Sequence, residues 1–278
     1  MPELPEVEAV ARELRPLVEG KRIVRCRVIH PIVVHRGSRQ SRTQAAAQLE
    51  QSLRGMQIRG AERRGKHLIL ALERGAVVLH FRFDGQLIWF NSKETSGHVD
   101  VAFETGGGTL GFVHSRHLGR VPYVASPEEV TGIRALGVDA LSKGFTVAHF
   151  AEQLAASRKP VKTLLLDQSE VAGIGNIYSS EALWRARIDP GWPADRLKRA
   201  EVRRLHKAIV DVLQRALECC LNPARNFRDP KWWFQGLERI LRVYGREGKS
   251  CRRCGQPVRR IEQGGPLIIV RNASDDPV

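Results

Sequence analysis

The chain has 278 residues, enough for one large or two medium domains, with 42% hydrophobic residues and a formal net charge of +15. No run approaches the roughly 20 apolar residues of a membrane span. The start lacks the regions of a signal peptide, and five cysteines, an odd number, argue against a disulfide framework. A soluble, cytoplasmic protein is expected, and its positive excess calls for a polyanionic partner. Nucleic acid leads, because no basic amphipathic helix supports an acidic membrane surface.

Residues 4–19 place Leu4, Val7, Val10, Leu14 and Leu17 at near-helical spacing, and Gly20 can stop the helix. From 21 to about 125 the texture becomes β-rich. "RIVRCRVIHPIVVH", "QIRGAERRGKHLILAL", "AVVLHFRFDGQLIWF" and "HVDVAFETGGGTLGFVH" are short runs parted by glycine-containing turns, with one helix near "TQAAAQLEQSL". This predicts a β-sandwich or barrel. From about 126 to 221 the pattern is helical, carried by "TVAHFAEQLAAS", "VKTLLLDQ", "NIYSSEALWRA" and "AEVRRLHKAIVDVLQRALECCL", and broken by "DPGWPAD". A short cysteine-containing tail ends the chain.

Four stretches invite chemistry, and each has a plain alternative. The opening "MPELPEVEAV" suits an ordinary capped helix, with proline in the first turn and Glu3 and Glu6 at its positive end. It also suits a reactive terminus. In "GIGNIYSSEAL", Gly173 and Gly175 permit close backbone approach before a helix start that can hold a phosphate, or they form a simple turn. Lys66 in "RRGKHLIL" is a strand-edge lysine unless something is built around it. "CRRCG", with Cys251 and Cys254, is half of a zinc ribbon.

In combination and in this order, "MPELPEVE", "RRGKHLIL", "GIGNIYSSEAL" and "VYGREGKSCRRCG" resemble the formamidopyrimidine-DNA glycosylases along nearly the whole chain, to about residue 265. The resemblance implies an α+β multidomain protein. An N-terminal helix plus β-sandwich domain would occupy 1–125. A helical domain with a helix–two-turn–helix would occupy 126–240, and a degenerate zinc-finger module 241–278. DNA would lie in the cleft between the first two. The implied activity is excision of oxidised purines and cleavage at the resulting abasic site, with double-stranded damaged DNA as partner and a monomer as the working form.

By the same resemblance, removal of Met1 exposes the Pro2 amine as nucleophile. An N-terminal amine has an ordinary pKa of roughly 7.7–8.0, so far more of it is neutral at pH 7 than of a lysine. Glu3 is the implied acid/base, Glu6 a positioning carboxylate, and Lys66 the lysine that contacts phosphate and assists elimination. Asn176, His98, Arg116 and Arg158 fall on DNA-contact positions, and Phe83 on the position of the wedge that enters the duplex.

Three departures bear on function. The loop after Arg116 reads His117 and Leu118, where the family has a second basic residue and then Phe. "NPARNFRDPKWWFQGLERIL", with Trp232 and Trp233, differs from the glycine-rich loop that covers the lesion. In the tail, Pro266 stands at the family's arginine position, and Arg271 and Ser274 stand at its second cysteine pair. The resemblance stops so abruptly after Gly265 that a frameshift or replaced terminus is expected. With two of four ligands, no zinc or other cofactor is expected at Cys251 and Cys254, and the tail beyond about 250 should be loosely ordered or held by "PLIIV". Lowered activity, and a damaged-DNA binder that has lost catalysis, both follow as expectations from the missing arginine.

Overall fold

The opening helix α1 (Leu4–Val18) buries Leu4, Val7, Val10, Leu14 and Val18 on one face. That spacing is the apolar stripe seen in the sequence. The computed structural model describes residues 2–34, 41–91, 98–221, 236–262 and 268–271. They fall into two compact units, one reaching to Arg134, the other comprising Ala135–Cys220 and Gly236 onward.

In the first unit, β1 (Ile23–Val28) ends in a 3-10 turn at Pro31–Val33. The second half of "RIVRCRVIHPIVVH" is therefore not strand, because Pro31 has no N–H to donate to a ladder. Helix α2 (Arg42–Leu53) starts at a reciprocal cap: the Gln44 N–H donates to Ser41 Oγ at 3.2 Å, and the Ser41 N–H to Gln44 Oε1 at 2.9 Å. Seven strands follow: β2 (Ile58–Arg64), β3 (His67–Leu72), β4 (Ala76–His80), β5 (Gln86–Phe90), β6 (Val101–Thr105), β7 (Gly108–Val113) and β8 (Tyr123–Val124). They make two four-stranded sheets, ordered β1-β6-β7-β5 and β2-β3-β4-β8.

The predicted β-sandwich is thus present. Its core takes Leu68 and Leu70 from β3, Phe103, Leu110 and Phe112 from the other sheet, and Val7 and Leu14 from α1. Alternate residues of the second sheet, Ile69, Ala76 and Val78, pack outward against Ile133 of the short helix α3 (Thr131–Arg134). Both faces of β3 and β4 are covered, so "HLILAL" is apolar nearly throughout instead of alternating.

The second unit contains α4 (Val147–Ala155), α5 (Val161–Leu166), α6 (Asn176–Ala186), the long α7 (Arg199–Cys220) and α8 (Leu237–Ile240). Four of these match the quoted helical segments. Two short strands depart from the helical expectation. In chain order they are β9 (Val138–Asp139), before α4, and β10 (Val171–Ala172), before α6, and they pair in parallel through Val138↔Val171 and Asp139↔Ala172. A two-residue bridge carries no periodicity, which is why the sequence pattern missed it. The unit closes with β11 (Arg259–Glu262) and β12 (Ile268–Arg271), an antiparallel pair.

Candidate active site

Pro2, Glu3 and Glu6 are all buried at the start of α1, Glu3 with 1% and Glu6 with 0% of its surface exposed. The Glu3 N–H donates to Glu6 Oε2 at 2.7 Å. That bond holds Glu3 in extended backbone at the helix entrance, with Pro2 just outside it. Two carboxylates hidden this well need a cation. It comes from the β2–β3 hairpin, where Gly65 takes φ +56 and Lys66 follows. Desolvation pushes the Lys66 amine below the ordinary lysine value, and the two carboxylates pull the other way.

The helix is anchored so that its first turn meets this hairpin. Glu8 bridges Arg12, at 2.8 Å, and Arg63 on β2, at 2.9 Å. Arg15 donates to the Ala61 carbonyl from Nε at 3.2 Å and from Nη2 at 2.9 Å. Arg63 also donates to the Gly65 carbonyl at 3.1 Å, bracing the turn that carries Lys66. Glu8, Arg12, Arg15 and Arg63 were missed in the sequence, where they look like solvated helix and strand charges.

Beside β4, Phe83 sits at the tip of a tight turn closed by the Gly85 N–H on the Phe81 carbonyl at 2.9 Å. It is 52% exposed, so it is not the core strand residue its setting in "HFRFDG" allows. The Arg116 guanidinium lies over its ring, 4.8 Å from the centroid. Asp84 gathers the loop: His114 Nε2 is 3.1 Å and Arg116 Nη2 3.8 Å from its Oδ1, and Ser115 Oγ donates to its Oδ2. The structure therefore brings Phe83 and Arg116 together. His98 is exposed just ahead of β6 and joins neither group.

In the second unit, the "GIGN" loop is built around Asn176, the first residue of α6. From Val171 through Leu183 every residue is buried except Asn176. Gly173 takes φ +97, and Gln168 staples the turn from both sides, accepting from the Gly173 N–H at 3.0 Å and donating to the Ile174 carbonyl at 2.7 Å. Beneath it lies Lys162, 0% exposed, which donates to the Asn176 carbonyl at 3.3 Å and to Ser180 Oγ. A helix N-terminus with a buried ammonium under it attracts anions. Lys162 was also missed; its signal was a single charge inside the apolar run "VKTLLL". Arg158 stands apart, its side chain 96% exposed, with Asp195 3.9 Å away.

The tail keeps half a metal knuckle. The Cys251 N–H donates to the Gln256 carbonyl and the Gly255 N–H to the Cys251 carbonyl, so the turn around "CRRCG" is formed. Cys251 packs with Val243, Val258 and Trp184. Glu181 of α6 accepts the backbone N–H groups of Arg242, Val243 and Tyr244 at 2.8–2.9 Å and so fixes the approach to the knuckle. This small cluster packs beside the β11–β12 pair, whose second strand falls on the apolar run "PLIIV". Burial raises the Cys251 thiol, but bonds from the Arg253 and Cys254 backbone and from Trp184 outweigh it and bring it to about 7. Arg271 ends β12 opposite Arg259. Among the described residues, no histidine or carboxylate completes a metal set with Cys251 and Cys254, so the ligands present there do not fit structural zinc. Trp232, Trp233, Pro266 and Ser274 lie outside the described residues.

Comparison with known proteins agrees with this fold. Residues 1–121 match the formamidopyrimidine-DNA glycosylase N-terminal domain, and residues 136–224 the formamidopyrimidine-DNA glycosylase H2TH domain. A formamidopyrimidine-DNA glycosylase of Moorella thermoacetica is 38% identical over 267 residues, covering 94% of each chain. One from Enterococcus faecalis is 38% identical over 262 residues, covering 93% of this chain and 91% of the relative. Among solved structures, the Lactococcus lactis Fpg in complex with abasic-site DNA superposes with a TM-score of 0.84 at 28% identity, covering 96% of this chain and 97% of that one. The same protein with N7-benzyl-Fapy-dG DNA gives a TM-score of 0.84 at 29% identity, covering 97% of each.

Proposed function

The chain belongs to the formamidopyrimidine-DNA glycosylase family, DNA glycosylases of base excision repair, and from that premise we propose that it is a bifunctional glycosylase and abasic-site lyase acting on oxidised purines in duplex DNA. The observation that carries this reading is the gathering of buried Glu3 and Glu6, next to Pro2, with the half-buried Lys66 of the β2–β3 hairpin.

In this reading the Pro2 amine, exposed once Met1 is removed, attacks C1′ of the damaged nucleotide. The glycosidic bond breaks, the base leaves with a proton, and Glu3 transfers protons to complete base release and ring opening. The product is an iminium between Pro2 and C1′. It acidifies the C2′ proton, whose loss expels the 3′ phosphate and cleaves the strand. Glu6 positions Glu3 through its backbone N–H. Lys66, with its proton held less tightly than in water, contacts the phosphate and assists elimination. Phe83 and Arg116, already stacked, fill the gap left by the extruded base. Asn176, with the α6 N-terminus behind it, binds a phosphate, and Arg158 and His98 add contacts on the exposed surface.

Borohydride reduction on DNA carrying an abasic site or 8-oxoguanine tests this directly, because only an iminium is reduced to a stable covalent adduct. Wild-type protein should be trapped and Pro2→Gly should not. Glu3→Gln should lose base excision yet bind DNA with nearly unchanged affinity. Normal excision by Glu3→Gln removes Glu3 from the chemistry. A wild-type chain that binds damaged DNA but is never trapped is a binding protein that has lost catalysis.

A further inference from the structure

His30, Asp100 and His117 come from three separate stretches: just after β1, just before β6, and the loop after β7. Two of them are locked by the sheet. The N–H groups of Ile29 and His30 both donate to the Asp100 carbonyl, at 2.8 and 3.1 Å, and the Asp100 N–H donates to Phe112 at 2.7 Å. His117 takes φ +53, a left-handed conformation unusual for a non-glycine, and its N–H is held by the His114 carbonyl at 3.0 Å. That conformation turns its ring into the group. The His30 and His117 rings stack with centroids 3.9 Å apart, and His117 Nδ1 lies 2.5 Å from Asp100 Oδ1.

The carboxylate is what requires explanation. Asp100 is 0% exposed, and its second oxygen, Oδ2, is buried with no hydrogen-bond partner. A buried acceptor left unpaired costs on the order of 1–3 kcal/mol, more when charged. Arg116 lies over the Phe83 ring with Asp84 beside it, and His114 Nε2 sits 3.1 Å from Asp84. One nitrogen from each histidine and one Asp100 oxygen lie within 4.8 Å of one another. A metal at about 2.0–2.2 Å from each would draw the three to roughly 3.3 Å apart. Side-chain rotation alone covers that difference, since the backbones are already in place.

We infer that His30, Asp100 and His117 form a binding site for a divalent transition metal, best matched by zinc, at the base of the Arg116 loop. Two imidazole nitrogens and one carboxylate oxygen form a borderline ligand set, suited to zinc and its neighbours and poorly suited to magnesium or calcium. Both histidines are half-exposed, so a fourth position opens to water. Binding would pin His117 and with it the adjacent Arg116. If the loop fills the gap in damaged DNA, as proposed above, the metal stabilises it in the filling conformation. The site itself does not depend on that role.

The test uses cobalt(II) as a spectroscopic probe in the full-length chain carrying Cys251→Ser and Cys254→Ser, so that the tail thiols cannot compete. One cobalt per chain should bind, with visible ligand-field bands and no thiolate charge-transfer band. Loss of an outer partner already weakens metal sites about 10–100-fold, so His30→Ala and His117→Ala should each weaken binding by at least about tenfold. Both are half-exposed, and circular dichroism checks that they fold. Asp100→Asn is the stricter variant where it folds. No cobalt binding, or binding unchanged in both histidine variants, overturns the site whatever the DNA chemistry proves to be.

Discussion

Lys66 carries its charge where the fold penalises it. Desolvation lowers its affinity for the proton, and the Glu3 and Glu6 carboxylates restore part of what is lost. Because the folded pKa lies below the unfolded one, the penalty on folding is present at neutral pH and fades as pH rises through the folded value. Two outcomes follow. The Lys66 amine, followed by NMR at its Nζ or Hε positions, should titrate below an ordinary lysine. Glu3→Gln should push it lower still, because one of the two restoring charges is gone. A Lys66 titration that ignores Glu3→Gln would mean the pair is not electrically joined. Replacing Lys66 by Met removes the cation that the buried Glu3 and Glu6 carboxylates need, so it should lower the melting temperature at neutral pH as well as damage function.

At the level of elements, the hairpin that presents Lys66 rests on two histidines paired across β3 and β4, His67 opposite His80, with ring centroids 4.6 Å apart. Burial drives His67 down to about 4 and His80 down to about 3, with nearby Lys66 and Arg82 adding to the effect. Both stay neutral in the folded chain. The unfolded chain takes up their protons as pH falls through about 6.5, so stability drops from there until the folded values are reached. At about pH 5, His67 alone should cost roughly 2 kcal/mol relative to pH 7. Thermal melts between about pH 7 and pH 5 should show the fall, and His67→Gln should flatten it. An equal slope in that variant would place the proton uptake elsewhere. Neither histidine could be read this way from "GKHLIL" and "VLHF" alone, because the cross-strand pairing that buries them is a tertiary fact. What could be read was periodic: α1 from its apolar stripe, α2 as the helix near "TQAAAQLEQSL", and the β-rich runs between glycine-containing turns. Pro2, Glu3, Lys66 and Asn176 stood out because motifs mark them. Lys162, Glu181 and the His30–Asp100–His117 group did not, because their partners lie far along the chain.

Over the whole molecule, 45 Lys and Arg stand against 30 Asp and Glu, and much of that excess is solvated arginine of the kind Arg158 represents. Binding to a duplex should then be governed by released counterions, with the logarithm of affinity falling linearly as the logarithm of salt rises. The contributions of single residues can be separated by charge. Arg158 touches little but solvent and Asp195, so Arg158→Ala removes a charge without a packing loss. It should lower the salt slope by about 1 if it meets a phosphate. Lys66→Ala should do the same, with a loss of lyase activity that Arg158→Ala does not share. Asn176 is neutral, and its contribution is a hydrogen bond at the α6 N-terminus backed by Lys162. Asn176→Ala should therefore weaken binding at every salt concentration and leave the slope nearly unchanged. Fluorescence anisotropy on a duplex with an abasic-site analogue, from about 50 to 200 mM salt, measures all three. Slopes that stay fixed in both Arg158→Ala and Lys66→Ala would take these two cations off the phosphate backbone, and the positive excess would then act by long-range attraction alone.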